Sequence, residues 1–157
     1  LEYLKAMQPD VVITTSTRSE LMSGEDEHVV TGLEQIVHEL TADDITVVGF
    51  RDNPRLDFDP TRCAQERSPD DPLCSVSSDV VLGDHNPAEA LEAIPGFVGV
   101  DPTPLICPRG ECVPVIGNVA VWLDSHHLTW DYTRSMAPLL HDTLVRAVQV
   151  TPGVAAE

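Results

Sequence analysis

In the run Leu123-Asp124-Ser125-His126-His127-Leu128-Thr129, an aspartate stands three residues before a histidine. In a turn, that spacing can bring the Asp124 carboxylate under the His127 imidazole. A carboxylate so placed keeps one ring nitrogen protonated and leaves the other free to take a proton from a hydroxyl nucleophile, the acid–base half of serine-type ester chemistry. The string is short and recurs by chance, and a competing reading is a solvated loop whose aspartate caps the next helix. Context strengthens the first reading. Trp122 is predicted to end a strand and Thr129 to open a helix, and loops beyond strand ends are where ligands gather in open α/β sheets.

Other chemistry-bearing side chains are weaker candidates. His28, His38 and His141 fall on predicted helices and read as surface or boundary residues. Trp122 and Trp130 flank the Asp-His run and read as core or rim aromatics, although an exposed Trp130 could carry a sugar ring. Asp43-Asp44 and Asp70-Asp71 read as solvated carboxylates, and Gly83-Asp84-His85 as the approach to a helix.

The elements that must position the run follow from periodicity. Leu1 to Met7 reads as the tail of a helix without a capping sequence, which leads us to expect further chain, with an export signal, upstream. Val11 to Thr15 and Ile45 to Phe50 are β-branched runs bounded by turn residues, as expected of strands covered on both faces. Between them, a polar loop over 16–25 precedes an apolar stripe of Val29, Val30, Leu33, Ile36, Val37 and Leu40, which predicts a helix from Asp26 to Leu40. Strand, helix and strand make a βαβ unit and a parallel sheet. Residues 51–82 are too long for a bare connector and predict a stapled excursion. Asn86-Pro87 caps a short helix, and Phe97 to Asp101 is a third strand. Residues 113–122 form a hairpin around Gly117-Asn118. Tyr132, Met136, Leu140, Leu144 and Val148 mark a C-terminal helix, restarted or kinked at Pro138. The expected fold is a three-layer α/β/α domain with a mainly parallel sheet over 1–150, followed by a loose tail at 151–157.

Nine Lys and Arg face 26 Asp and Glu, a formal charge of −17. Such a surface repels phosphate backbones, so nucleic acid is not an expected partner. No apolar run is long enough to span a bilayer. Cys63, Cys74, Cys107 and Cys112 allow three pairings. Pairing of neighbours, 63 with 74 and 107 with 112, is favoured because each pair brackets a loop containing Pro or Gly. Disulfides imply an oxidising compartment. The alternative is a zinc site, whose short knuckle spacing only the second pair satisfies.

The stretch Cys107-Pro108-x-x-x-Cys112, the hairpin, Asp124-x-x-His127-Leu128-Thr129 and Tyr132 resembles the end of an SGNH domain. It is similar to the SGNH domains fused behind membrane family-3 acyltransferases of bacterial envelopes, and Pro9-Asp10-Val11-Val12-Ile13 matches a strand of that family. The resemblance implies Asp124 and His127 as acid and base of a Ser-His-Asp triad, with no cofactor and no metal. It implies an O-acyltransferase, with acetyl as the expected group and a cell-envelope glycan as acceptor. It also implies a membrane acyltransferase domain as partner in the full-length protein, and a location on the extracytoplasmic side of the bacterial membrane. A carbohydrate esterase, or a non-catalytic module binding an envelope glycan or partner, would use the same fold.

Two departures bear on activity. The family's Gly-Asp-Ser nucleophile block is missing, which leads us to expect that the first strand and nucleophile lie outside this chain. The Gly-x-Asn block that supplies an oxyanion donor is replaced by Thr14-Thr15-Ser16-Thr17. Hydroxyls or N–H groups of Ser16 and Thr17 are candidate donors; a polar turn is the alternative. A lost oxyanion donor costs about 10²–10³ in rate, whereas a lost nucleophile costs on the order of 10⁶.

Overall fold

The computed structural model describes residues 1–149; the tail expected at 151–157 and the Val148 side chain fall outside the described residues. Three parallel strands form the centre: β1 (Val11–Thr15), β4 (Thr46–Phe50) and β6 (Phe97–Val100), in the order β1-β4-β6. Val12 pairs with Val47 and Val48 with Val98, so the apolar positions stay in step across the sheet. Because strand side chains alternate between faces, β4 serves two cores. Val47 and Phe97 pack with Leu33, Val37 and Leu40 of helix α2 (Leu33–Thr41) on one face. Val48 and Val100 pack with Phe50, Val98, Leu140 and Leu144 on the other, the last two from α6 (Trp130–Gln149). Helices on both faces of a parallel sheet make this an α/β fold.

Smaller elements fill in the rest. Helix α1 (Glu2–Met7) precedes β1. The excursion after β4 contains α3 (Pro60–Glu66), β5 (Val76–Ser77) and α4 (Ser78–Val81), with Cys63 bonded to Cys74. Asn86 caps the 3-10 helix Pro87–Ala93 by accepting from the Ala88 N–H. Helix α5 (Thr103–Ile106) leads to β7 (Glu111–Cys112), which pairs with β5, and Cys107 is bonded to Cys112. Strands β8 (Val115–Ile116) and β9 (Val119–Ala120) form the hairpin around Gly117-Asn118. Among the described residues no helix is long and apolar enough to cross a membrane.

The structure corrects several expectations. Residues 26–32 are not helical: β2 (Thr17–Glu20) and β3 (Ser23–Val29) form an antiparallel hairpin, and α2 starts only after Gly32, whose φ is 80°. The polar residues that looked like a loop form β2, the turn and the start of β3, and Glu27 turns inward to an ion pair with Arg51. His28 therefore lies on a strand. Strand β1 is not covered on both faces either; it lies at a sheet edge, and Ile13 is 63% exposed. Trp122 does not end a strand but makes a single bridge to Leu128. Of the two alternatives at Pro138, a restart is excluded: α6 is one helix that runs through it, with Pro138 on the exposed side.

Candidate active site

The Asp-His run is a closed turn between the β8–β9 hairpin and α6. Its feet are joined by the Leu123 N–H donating to the His127 carbonyl at 2.8 Å. Inside it, Asp124 Oδ1 accepts from the backbone N–H of His126 (2.9 Å) and of His127 (2.8 Å). The other carboxylate oxygen, Oδ2, is 2.7 Å from His127 Nδ1. Asp124 thus closes its own turn and grips the imidazole with the same carboxylate. Burial would push this carboxyl up. The His126 N–H, the His127 ring and the His127 N–H outweigh it and hold the group well below the usual carboxylate range. An ionised Asp124 requires the proton on Nδ1, which leaves the Nε2 lone pair to accept another. The His127 side chain is 61% exposed, so that lone pair is accessible.

The capping role that competed for Asp124 belongs to Thr129. Its hydroxyl accepts from the Tyr132 N–H at 3.1 Å and donates to Ala120 O, while its N–H donates to Val121 O. Trp122, fully buried, anchors the other foot: its indole N–H donates to Val113 O, and its carbonyl accepts from Thr61. Trp122 shares a core with Cys107, Cys112, Val121, Tyr132 and Met136.

The loop following β4 supports the turn from the side. Leu56 N–H donates to Ser125 O at 2.9 Å, and the Asn53 amide donates to His126 O at 3.3 Å. Asp52 holds this loop by accepting from the Ser19 N–H and hydroxyl and from Arg55. Next to the turn, a cleft of about 220 Å³ opens between the sheet end and α6, lined by Phe50, Asn53, Ile106, Leu128, Thr133 and Met136. Asp52 and Asn53 were missed in the sequence. Their signal is position: polar residues directly after a buried central strand, where α/β sheets place their sites.

Ser16 and Thr17 lie at the end of β1 and are fully buried. Thr17 Oγ1 donates to Glu27 and accepts from the Asp52 N–H. The Ser16 N–H donates to Phe50 O, and Ser16 Oγ has no hydrogen-bond partner among the described residues. Among the described residues, neither hydrogen-bonds the Asp124–His127 turn directly; Thr17 is linked to it through the Asp52-Asn53 loop. Beneath them, Arg51 binds both oxygens of Glu27 at 2.9 and 2.6 Å, Asp101 at 3.0 Å and Gly83 O at 2.6 Å. This accounts for Gly83, whose N–H also donates to Glu27.

Both cysteine pairs are disulfides, so the zinc reading through Cys107 and Cys112 is set aside. Asp124, His126 and His127 each bring a ligand atom within 4.8 Å of the others, a spacing a small cation could use. Metal binding there would compete for the groups that join Asp124 to His127. Trp130 stands 73% exposed just beyond the turn.

No curated protein and no solved structure matches this chain. The model of one family, described as the SGNH domain fused to AT3 domains, matches residues 1–142. The match includes the turn with Asp124 and His127 and both disulfides, and the chain belongs to that family of SGNH domains.

Proposed function

We propose that this domain is the extracytoplasmic catalytic module of a cell-envelope O-acyltransferase, with His127 as general base and Asp124 as the group that orients it. The observation that carries this reading is the 2.7 Å contact between Asp124 Oδ2 and His127 Nδ1, which leaves the second ring nitrogen open to a nucleophile. Family membership supports ester chemistry beside a membrane acyltransferase domain, and the two disulfides suit an oxidising compartment.

In the mechanism, a serine hydroxyl attacks the carbonyl carbon of an acyl donor while His127 Nε2 takes its proton. Asp124 holds Nδ1–H and stabilises the imidazolium. The leaving group departs with the proton from His127, and a hydroxyl of the glycan then attacks the acyl-serine by the same route in reverse. Among the described residues no hydroxyl hydrogen-bonds His127, and we assign the nucleophile's role to the serine of the family's Gly-Asp-Ser block. The cleft beside Leu128, of about 220 Å³, has room for a short acyl group such as acetyl. Thr17 acts by fixing the Asp52-Asn53 loop through the Asp52 N–H, whereas the Ser16 hydroxyl is fully buried and does not line the cleft. In the full-length protein, His127→Ala should abolish acyl transfer to the envelope glycan, and retained transfer would overturn the reading.

One observation favours hydrolysis as a second reading. His127 is open to water, and the same groups would then release a free acid from an acylated glycan.

A further inference from the structure

Two large apolar side chains stand in solvent at the feet of the Asp124–His127 turn. Leu123 is 66% exposed on one side and Trp130 73% on the other, whereas the chain's other tryptophan, Trp122, directly before Leu123 in sequence, is completely buried. Trp130 is the first residue of α6, three positions past His127. Arg134 follows four residues later on the same helix, a spacing that makes the two side chains surface neighbours. Arg134 is exposed and makes no hydrogen bond or ion pair among the described residues, in a chain with only nine Lys and Arg.

We propose that Trp130 and Arg134 form the platform that receives a neutral pyranose ring of the acceptor glycan and presents its hydroxyl to His127. The inference deepens the transferase reading and depends on it only for the word acceptor; the binding itself needs no turnover. The flat face of a pyranose is a row of weakly positive C–H groups, which suits the negative face of an indole. The guanidinium beside it carries five donors in a fixed plane, suited to ring hydroxyls. Two apolar side chains separated by a polar turn make too small and divided a patch for the core of a protein interface. The charge of −17 disfavours polyanionic glycans and anionic lipid surfaces, and the Arg134 guanidinium disfavours a cationic sugar at this spot, which leaves neutral sugars.

The test uses this chain and four neutral tetrasaccharides, built from glucose, galactose, mannose and N-acetylglucosamine. Because Trp122 is buried, acrylamide quenching of tryptophan fluorescence reads Trp130. At least one sugar should blue-shift the emission and protect it from quenching. By calorimetry, Trp130→Ala should bind that sugar about tenfold more weakly or worse, and Arg134→Ala should weaken it by a smaller factor. Trp130→Phe should retain most of the affinity. Trp130 is exposed, so unchanged circular dichroism is expected for its variants. The proposal fails if none of the four sugars protects Trp130, if Trp130→Ala binds as well as the parent, or if phosphatidylethanolamine–phosphatidylglycerol vesicles protect the residue and sugars do not.

Discussion

Asn53 and His126 are 73 positions apart, yet the Asn53 side-chain amide donates to the His126 carbonyl at 3.3 Å and braces the turn that carries His127. The central strand β4 thereby reaches the candidate site through the loop at its carboxyl end. A second brace, from Leu56 N–H to Ser125 O, acts on the neighbouring peptide. Removing one brace should loosen the turn without unfolding it. Asn53→Ala is expected to cost about 0.5–1.5 kcal/mol in urea unfolding, the usual net worth of one such bond. Acyl transfer should fall by more than that stability loss explains, since the position of His127 depends on this turn. Unchanged transfer would mean that the Leu56 contact suffices.

Asp124 links stability to pH in a defined direction. Its folded-state carboxyl lies below the ordinary value of 3.8, so the ionised form is favoured by folding. That contribution is fully present above the unfolded value and fades as pH falls through the folded one. Asp124→Asn keeps an oxygen for the two backbone N–H groups and loses the charge facing His127. The difference in melting temperature between parent and variant should be largest above about pH 4 and shrink toward pH 2. Exposure of the pair keeps this difference modest. The catalytic consequence should be much larger, about 10⁴-fold in kcat by analogy with a serine-protease triad, because a neutral amide no longer fixes the imidazole tautomer. A gap in melting temperature that grows toward pH 2 would contradict the arrangement.

The contrast between these groups shows what the sequence could reveal. β4 was legible because a fully buried strand needs an unbroken apolar run, and Thr46, Val47, Val48 and Gly49 are all buried. Asp124 and His127 were legible because their chemistry lies within one turn. The β2–β3 hairpin was not. Its inward residues, Thr17, Ser19 and Glu27, are polar, and their burial depends on Arg51, 24 positions beyond Glu27. A hydrophobic stripe cannot announce a core built from an ion pair. Similarly, Asn53 acquires its role only from the long-range approach of residues 125 and 126.

The two disulfides should be separable. Loops closed by separations of 11 and 5 residues restrict the unfolded chain by an amount equivalent to about 2–3 kcal/mol each. Cys107 and Cys112 lie in the same core as Trp122, which anchors the turn, whereas Cys63 sits on the α3 excursion. Replacing either pair by alanines should lower the denaturant midpoint by a similar amount. The 107–112 replacement should in addition depress acyl transfer under conditions where both variants remain folded. Equal activity in the two variants would show that the Trp122 core does not transmit to the turn.

Arg51 offers the sharpest test of the buried network. Its side chain and that of Glu27 are 5% and 0% exposed, and one guanidinium ties the β3 hairpin, the end of β4, Gly83 and Asp101 together. A buried pair of this kind is a poor net source of stability, because desolvation offsets most of the attraction, yet removing one partner strands the other charge. Arg51→Met should therefore cost about 3–5 kcal/mol in unfolding free energy. Arg51→Met combined with Glu27→Gln should recover a substantial part of that loss, since no buried charge is then left without its counterion. The comparison separates two origins of the cost. If the double variant is as unstable as Arg51→Met alone, the lost stability comes from the hydrogen bonds to Gly83 and Asp101 rather than from the stranded carboxylate. Either way, the double variant frees residue 27 from the guanidinium that held it, so the acceptor of the Thr17 hydroxyl is less fixed, and the Asp52-Asn53 loop that depends on Thr17 should show faster amide exchange at Asp52.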